Sequence, residues 1–290
     1  MKIPKDEILK PNHLACPGCG AALAMRLALK ALGRKTVIVI PACCWTVING
    51  PWGKNYAGVP VFHTAFETTA AVAAGIKASL EMQGKDDITV VGWAGDGGTF
   101  DIGLQALSGA AERNDDIIYV CYDNEAYMNT GIQRSSATPI GAETTTTPAP
   151  MLKNRPKKDL MELVAAHSVP YIASATVAYP VDLIKKFEKA KSKKGFKLIH
   201  ILTPCPPGHK FPEDKTIEIS KLAVETGIFP LYEIEDGRYK LNKKPKFTGI
   251  EEYLKLQGRF RNISEKEMEV IKENIKERWR RLEIKFEYFN

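Results

Sequence analysis

The chain has 290 residues, 44% of them hydrophobic, which is enough for one large domain or two ordinary ones with a substantial core. It has no apolar run near the roughly 18 residues that cross a bilayer, and residues 1–11 are charged without an apolar signal region, so a cytoplasmic protein with no membrane partner is expected. The net charge is +7, but the basic residues at 240–246 and 272–285 alternate with Glu and do not interleave with aromatics, which argues for solvated helix faces or attraction to an acidic partner and against nucleic acid.

In chain order, residues 21–32 read as an Ala- and Leu-rich helix, and the β-branched run 36–40 as a strand stopped by Pro41. A small-residue helix is expected over 68–82, strands over 88–93 and 117–122, and a helix over 101–113 between them. A long segment rich in Thr, Pro and Gly, 127–158, interrupts the pattern. A loop of that length is a functional one or a disordered one, and a loop folded over a ligand is expected. Helix, strand, helix, strand then follow at 159–167, 171–176, 181–191 and 197–202. Such alternation predicts an α/β fold: a mostly parallel sheet with helices on both faces and ligands at the carboxyl ends of the strands. After Pro206-Pro207-Gly208 the alternation stops. A hairpin over 228–247 turning at Asp236-Gly237 and a charged helix over 264–283 are expected, so residues 1–210 read as the main domain and 211–290 as a C-terminal arm packing on a partner.

Gly95-Asp96-Gly97 sits where one strand meets a helix, and Asn124 just past the next strand. One carboxylate and one amide at adjacent strand ends, beside backbone N–H groups that glycine leaves accessible, suit a Mg²⁺ carrying a diphosphate. This spacing resembles the motif of thiamine diphosphate enzymes, although that motif usually ends in two Asn and here Glu125 follows Asn124. The string Asp123-Asn124-Glu125-Ala126-Tyr127-Met128-Asn129-Thr130-Gly131, together with Cys16-Pro17-Gly18-Cys19-Gly20, resembles the β subunits of the 2-oxoacid:ferredoxin oxidoreductases, most closely those acting on pyruvate. The resemblance covers roughly residues 10–210.

The resemblance implies thiamine diphosphate held by Gly95, Gly97 and Gly98 through the backbone, with Mg²⁺ on Asp96, Asn124 and the Ala126 carbonyl, and hydrogen bonds from Thr99, Asn129 and Thr130. It implies one 4Fe–4S cluster on Cys16, Cys19, Cys44 and Cys205, with Cys44 also beside the thiamine cofactor. The activity implied is oxidative decarboxylation of a 2-oxoacid with coenzyme A to acyl-CoA, CO₂ and reduced ferredoxin, in a complex with α, γ and δ subunits or a fused equivalent. The 2-oxoacid could also be 2-oxoisovalerate, 2-oxoglutarate or oxalate. The glutamate that activates the cofactor is implied on the partner α chain, so no acid/base catalyst is assigned here.

Read from the residues alone, Cys43 competes with Cys44 as a ligand, and Cys121 in a strand reads as a small core residue. A structural zinc on the cysteines, in a thiamine enzyme without redox chemistry, is the rival reading. It is weakened because only one C-x-x-C pair is present. Glu67 reads as a helix N-terminal acid. Of the histidines 13, 63, 167, 200 and 209, only His63 reads as near enough to Cys44 and Glu67 to reach a substrate, and Trp45, Trp52 and Trp93 read as core or cofactor packing.

Overall fold

The computed structural model describes residues 3–288. Eight strands form one sheet in the order β2-β1-β3-β4-β6-β5-β7-β8. These are β1 (Thr36–Ile40), β2 (Val61–His63), β3 (Thr89–Gly95), β4 (Ile118–Asp123), β5 (Tyr171–Thr176), β6 (Lys197–Leu202), β7 (Leu231–Glu235) and β8 (Arg238–Lys243). Pairing is parallel from β2 through β5 and antiparallel only for β5–β7 and β7–β8. The expected α/β architecture is therefore present.

The period of two along each strand sends neighbours to opposite faces, and both faces are covered. Val91, Trp93, Val120 and Tyr122 pack under α1 (Gly20–Leu32) and α6 (Pro180–Ser192). Val90, Ala94, Tyr119 and Cys121 pack under α3 (Thr69–Met82), α4 (Leu104–Glu112) and α5 (Leu160–Ala165). Cys121 is thus a buried core thiol. Trp93 is enclosed by Trp45 edge-on at 6.3 Å, Tyr122 stacked at 6.2 Å and Phe187 stacked at 6.4 Å. Trp52 departs from the expected core role, since its side chain is fully exposed.

Local chemistry sets the element ends. Asp159 caps α5, its side chain accepting from the Glu162 N–H at 3.3 Å. Asp236 (φ 49°) and Gly237 (φ 80°) make the left-handed pair that closes the β7–β8 hairpin, as the Asp-Gly step demands.

The segment expected as an arm contributes those two strands to the sheet. Its long helix, α10 (Glu265–Tyr288), seats Trp279, Leu282 and Phe286 in the same core as α3 and α4. Between them, α8 (Thr216–Glu225) and α9 (Ile250–Lys255) build a further apolar cluster with Leu202, Phe211, Phe229 and Phe260. Residues beyond 210 are richer in core contacts than a thin arm would be.

Candidate functional site

β3 and β4 are hydrogen-bonded neighbours in parallel register, Gly95 opposite Tyr122, so the residues that follow them emerge side by side at the carboxyl edge of the sheet. After Gly95 the chain does not enter an α-helix directly. Asp96 takes helical backbone angles and opens a five-residue π turn, Gly97–Asp101, ahead of α4. Such wide turns concentrate at functional sites because they redirect backbone groups. The turn needs glycine at 97, where a Cβ would stand 2.2 Å from the Tyr127 ring. Tyr127 in turn donates its hydroxyl to Asp101 at 2.7 Å, clamping the start of the 127–158 segment onto the turn. Gly97→Ala is expected to push Tyr127 off Asp101, at an overpacking cost of about 1–3 kcal/mol. Calorimetric titration with thiamine diphosphate and Mg²⁺ should show the weakened binding, and adding Tyr127→Ala should recover part of it.

Asp96 is 1% exposed. Its Oδ2 accepts from Ser135 Oγ at 2.5 Å. Burial, reinforced by the charge of Asp123, holds its carboxyl well above the ordinary value. The other carboxylate oxygen meets Asn124. With Asn124 Nδ2 directed at Cys44 Sγ (3.8 Å), Asn124 Oδ1 stands 2.8 Å from Asp96 Oδ1 and 2.9 Å from the Ala126 carbonyl oxygen. Three oxygens this close need a cation between them, a proton on the Asp96 carboxyl, or an amide turned over to donate to the other two. Hard, closely spaced oxygens at a buried carboxylate are the donor set that Mg²⁺ takes, so these residues fit the metal.

The turn that aims Asn124 and Ala126 at the same point is Glu125, whose φ of 65° is left-handed. That conformation costs a non-glycine residue about 1–3 kcal/mol and is held from all sides. Its N–H donates to Asp123 Oδ1 at 3.0 Å, and its carbonyl accepts from Thr138 Oγ1 at 2.7 Å. Its carboxylate is paired with Arg259 at 2.6 Å and Lys157 at 3.0 Å. Against a burial penalty, Lys157 and Arg259 draw the Glu125 carboxyl well below its ordinary value. Glu125, which departs from the usual two-Asn pattern, is thus the anchor of the turn. Lys157 also pairs with Asp123, which accepts from His200 Nε2 at 2.7 Å. His209 Nε2 donates to the Asn124 carbonyl at 2.8 Å, and burial with Arg259 nearby pushes His209 down to about 3, fixing it as a neutral donor.

These supports were not legible in the sequence: Ser135, Thr138, Lys157, His200, His209 and Arg259 are spread along the chain after Asn124, with no local pattern to mark them. Three lysines, 153, 157 and 158, inside a Thr- and Pro-rich loop were the available signal. Lys153 donates to the Thr138 and Arg155 carbonyls at 2.6 and 2.7 Å, and Lys158 to the Phe100 carbonyl at 2.6 Å.

Other expected residues are placed differently. The Thr99 hydroxyl is buried and donates to the Gly95 carbonyl at 2.8 Å, so it shapes the turn. Asn129 and Thr130 are exposed in the bend between the bridged residues Tyr127 and Gln133, with the Thr130 hydroxyl bonded to Gln133 at 2.5 Å. Glu67 is exposed, and its backbone lies beside the π turn. His63 is exposed at the end of the edge strand β2.

The cysteines gather on the same edge of the sheet. Cys19 caps α1, and a Cβ on the next residue, Gly20, would be 2.9 Å from the Pro204 carbonyl; that close approach seats the Cys16–Cys19 turn against the exit of β6, where Cys205 begins. Burial raises the Cys44 thiol, as do the neighbouring charges of Cys43, Cys205 and Cys19. Cys205 is pushed up to about 12 by burial, opposed by the Gly208 N–H and reinforced by Cys19 and Cys16. Thus Cys44 lies within electrostatic reach of Cys19 and Cys205, and Cys16 within reach of Cys19 and Cys205. Cys43, which also lies near Cys44, has other partners: it stands at the N-cap of α2 (Cys44–Ile48), and its thiol is hydrogen-bonded to Tyr122. Among the described residues no three His, Cys, Asp or Glu side chains converge on one point as a single tetrahedral ion needs. Cluster thiolates accept backbone N–H groups, and here the Ala21 and Ala22 N–H groups are directed at Cys19 and the Gly208 N–H at Cys205, which suits a cluster.

The fold and the family match make this a thiamine diphosphate-binding domain. Residues 51–201 match the sequence family described as thiamine pyrophosphate enzyme, C-terminal TPP binding domain. The chain is 52% identical, over 100% of its length and 96% of the relative's, to the ketoisovalerate oxidoreductase subunit VorB of Pyrococcus abyssi. It is 50% identical, over 95% of its length and 97% of the relative's, to the pyruvate synthase subunit PorB of Methanothermobacter thermautotrophicus. Among solved structures it is similar to the 2-oxoglutarate:ferredoxin oxidoreductase of Magnetococcus marinus (TM-score 0.61, 25% identity, 71% of this chain and 68% of that one). The chain belongs to the thiamine diphosphate-binding subunits of the 2-oxoacid oxidoreductase family.

Proposed function

We propose that this chain is the β subunit of a 2-oxoacid:ferredoxin oxidoreductase, holding thiamine diphosphate, Mg²⁺ and one 4Fe–4S cluster. The observation that carries the proposal is the Asn124 amide reaching the Asp96 carboxylate at 2.8 Å and the Ala126 carbonyl at 2.9 Å, next to Cys44. In this reading Asp96, Asn124 and Ala126 hold the metal, and Ser135 and Glu125 keep two of them aimed. Gly95, Gly97 and Gly98 give the diphosphate access to the backbone. Asn129 and Thr130, exposed at the start of the loop, are left for the rest of the cofactor and the substrate. Cys16, Cys19, Cys44 and Cys205 hold the cluster. When bound, thiamine diphosphate supplies an electron sink for cleavage beside a carbonyl, and the cluster accepts the electrons singly.

Asp96, Asp123 and Glu125 are buried together, and Lys157 and Arg259 pair with the last two but not with Asp96, which supports a cation here. Pyruvate is the expected substrate. The second reading, 2-oxoisovalerate, is favoured by the 52% identity to ketoisovalerate oxidoreductase subunits. Coenzyme A and ferredoxin as co-substrate and acceptor, α, γ and δ partners or a fused equivalent, a partner-facing surface on residues 211–290 and a cytoplasmic location belong to the same proposal. No helix among the described residues is long and apolar enough to cross a membrane.

The test is turnover. The isolated chain should not oxidise either 2-oxoacid, and adding an α partner should give coenzyme A-dependent reduction of ferredoxin. Turnover by the isolated chain would contradict the assignment of the activating acid to the partner. The ratio of kcat/KM for the two acids in the complex decides the substrate.

A further inference from the structure

Asn124 sits between the two groups of ligands, and its side chain has a different atom for each. One terminal atom of the amide lies 2.8 Å from Asp96 Oδ1 and 2.9 Å from the Ala126 carbonyl, the other 3.8 Å from Cys44 Sγ, and which of them is oxygen depends on what occupies the site. We propose that this one amide couples the metal site to the cluster site: a cation bound to Oδ1 fixes Nδ2 as a hydrogen-bond donor to the Cys44 thiolate. The inference rests on the reading of the site given above.

The argument follows from the planarity of the amide. Its two ends exchange places only by a half-turn, so one orientation serves both partners or neither. With a cation among the oxygens, Oδ1 is held and the N–H must point at sulfur. With no cation, the opposite orientation is favoured, since Nδ2 then donates to Asp96 Oδ1 at 2.8 Å and to the Ala126 carbonyl at 2.9 Å. Oδ1 then faces Cys44, an acceptor against an acceptor. The backbone does not share in the turn, because His209 Nε2 holds the Asn124 carbonyl and the ion pairs of Glu125 hold the next residue.

A hydrogen bond to a cluster thiolate stabilises the more negative, reduced state and raises the reduction potential. The cluster is therefore the better electron acceptor when the metal and its diphosphate are in place. Asn124 is a positioning residue in this role, acting through Cys44.

The test uses the whole anaerobic complex with asparagine side chains labelled with ¹⁵N. The reduced cluster is examined by pulsed electron paramagnetic resonance, once loaded with Mg²⁺ and thiamine diphosphate and once stripped with a chelator. A ¹⁵N coupling present only in the loaded sample, assigned by its loss in Asn124→Asp and accompanied by a higher midpoint potential, is the expected result. The same coupling in both samples, or in neither, overturns the proposal. A sample with no cluster signal, or one that retains no thiamine diphosphate on loading, would instead refute the underlying reading of the site, and this inference with it.

Discussion

Asp96→Asn protein is expected to fold, to melt at a higher temperature than the native chain when both are stripped of metal, and to bind no thiamine diphosphate at any practical Mg²⁺ concentration. The first half follows from burial. The folded state raises the Asp96 pKa above its ordinary value. The carboxyl therefore contributes fully to stability only below that ordinary value, and the contribution is lost as pH rises through the folded value. In the metal-free native chain burial penalises the ionised form of this carboxyl, and the neutral isostere removes that penalty.

The second half follows from what the charge is for. Removing one partner from a buried charge pair costs about 3–5 kcal/mol, or roughly two to four powers of ten in affinity. Differential scanning and isothermal titration calorimetry on the same two proteins separate the effects. A variant that melts lower without metal, or that binds the cofactor with unchanged affinity, would refute the assignment of Asp96. A group that destabilises the empty fold and strengthens the loaded one marks a binding site and not a packing role.

Cys44→Ser should abolish the cluster, whereas Cys43→Ser should retain it. The two residues are adjacent, so composition changes equally, but their thiols have different partners. Cys44 lies in the field of Cys19 and Cys205, and Cys43 bonds Tyr122 in the core. Serine at 43 keeps a hydrogen-bonding group at the N-cap of α2 and beside Tyr122, so both the fold and the iron content should survive. Iron and sulfide assays on both variants decide, and the reverse pattern would exchange the two cysteines.

Most of the sheet was legible because its signals are local. Strands 36–40, 171–176 and 197–202 are short β-branched or apolar runs between helical patterns, and their limits agree with the structure to the residue. Asp236-Gly237 announced its hairpin for the same reason: a left-handed pair of residues is a property of two side chains. The π turn after Asp96 was not legible, since nothing in Gly97-Gly98-Thr99-Phe100-Asp101 distinguishes a five-residue turn from the first turn of an α-helix. The helix Thr216–Glu225 went unread although Ile219, Leu222 and Ala223 keep helical spacing and Gly227 follows as a stop; Pro206 and Pro207 masked it by ending the preceding pattern. That the β7–β8 hairpin extends the main sheet depends on pairing with β5, about sixty residues away, which no local pattern records.

The site divides along the same line. Asp96, Asn124 and the cysteines were legible as spacings between strand ends and glycine turns. The residues that aim them, Ser135 on Asp96 and Arg259 with Lys157 on Glu125, act through space, and Arg259 comes from the segment that the sequence separates from the main domain. Glu125 looked like a defect in the expected motif because its partners are distant. Its left-handed backbone and two ion pairs make it the hinge on which Asn124 and Ala126 are set.

The most direct test of the account is anomalous diffraction at the iron edge from anaerobically grown crystals of the complex, soaked with Mg²⁺ and thiamine diphosphate. One compact iron peak bonded to Cys16, Cys19, Cys44 and Cys205, with diphosphate density joined through a metal to Asp96, Asn124 and the Ala126 carbonyl, is predicted. Iron elsewhere, a zinc edge at the thiols, or a diphosphate seated away from Asp96 would contradict it.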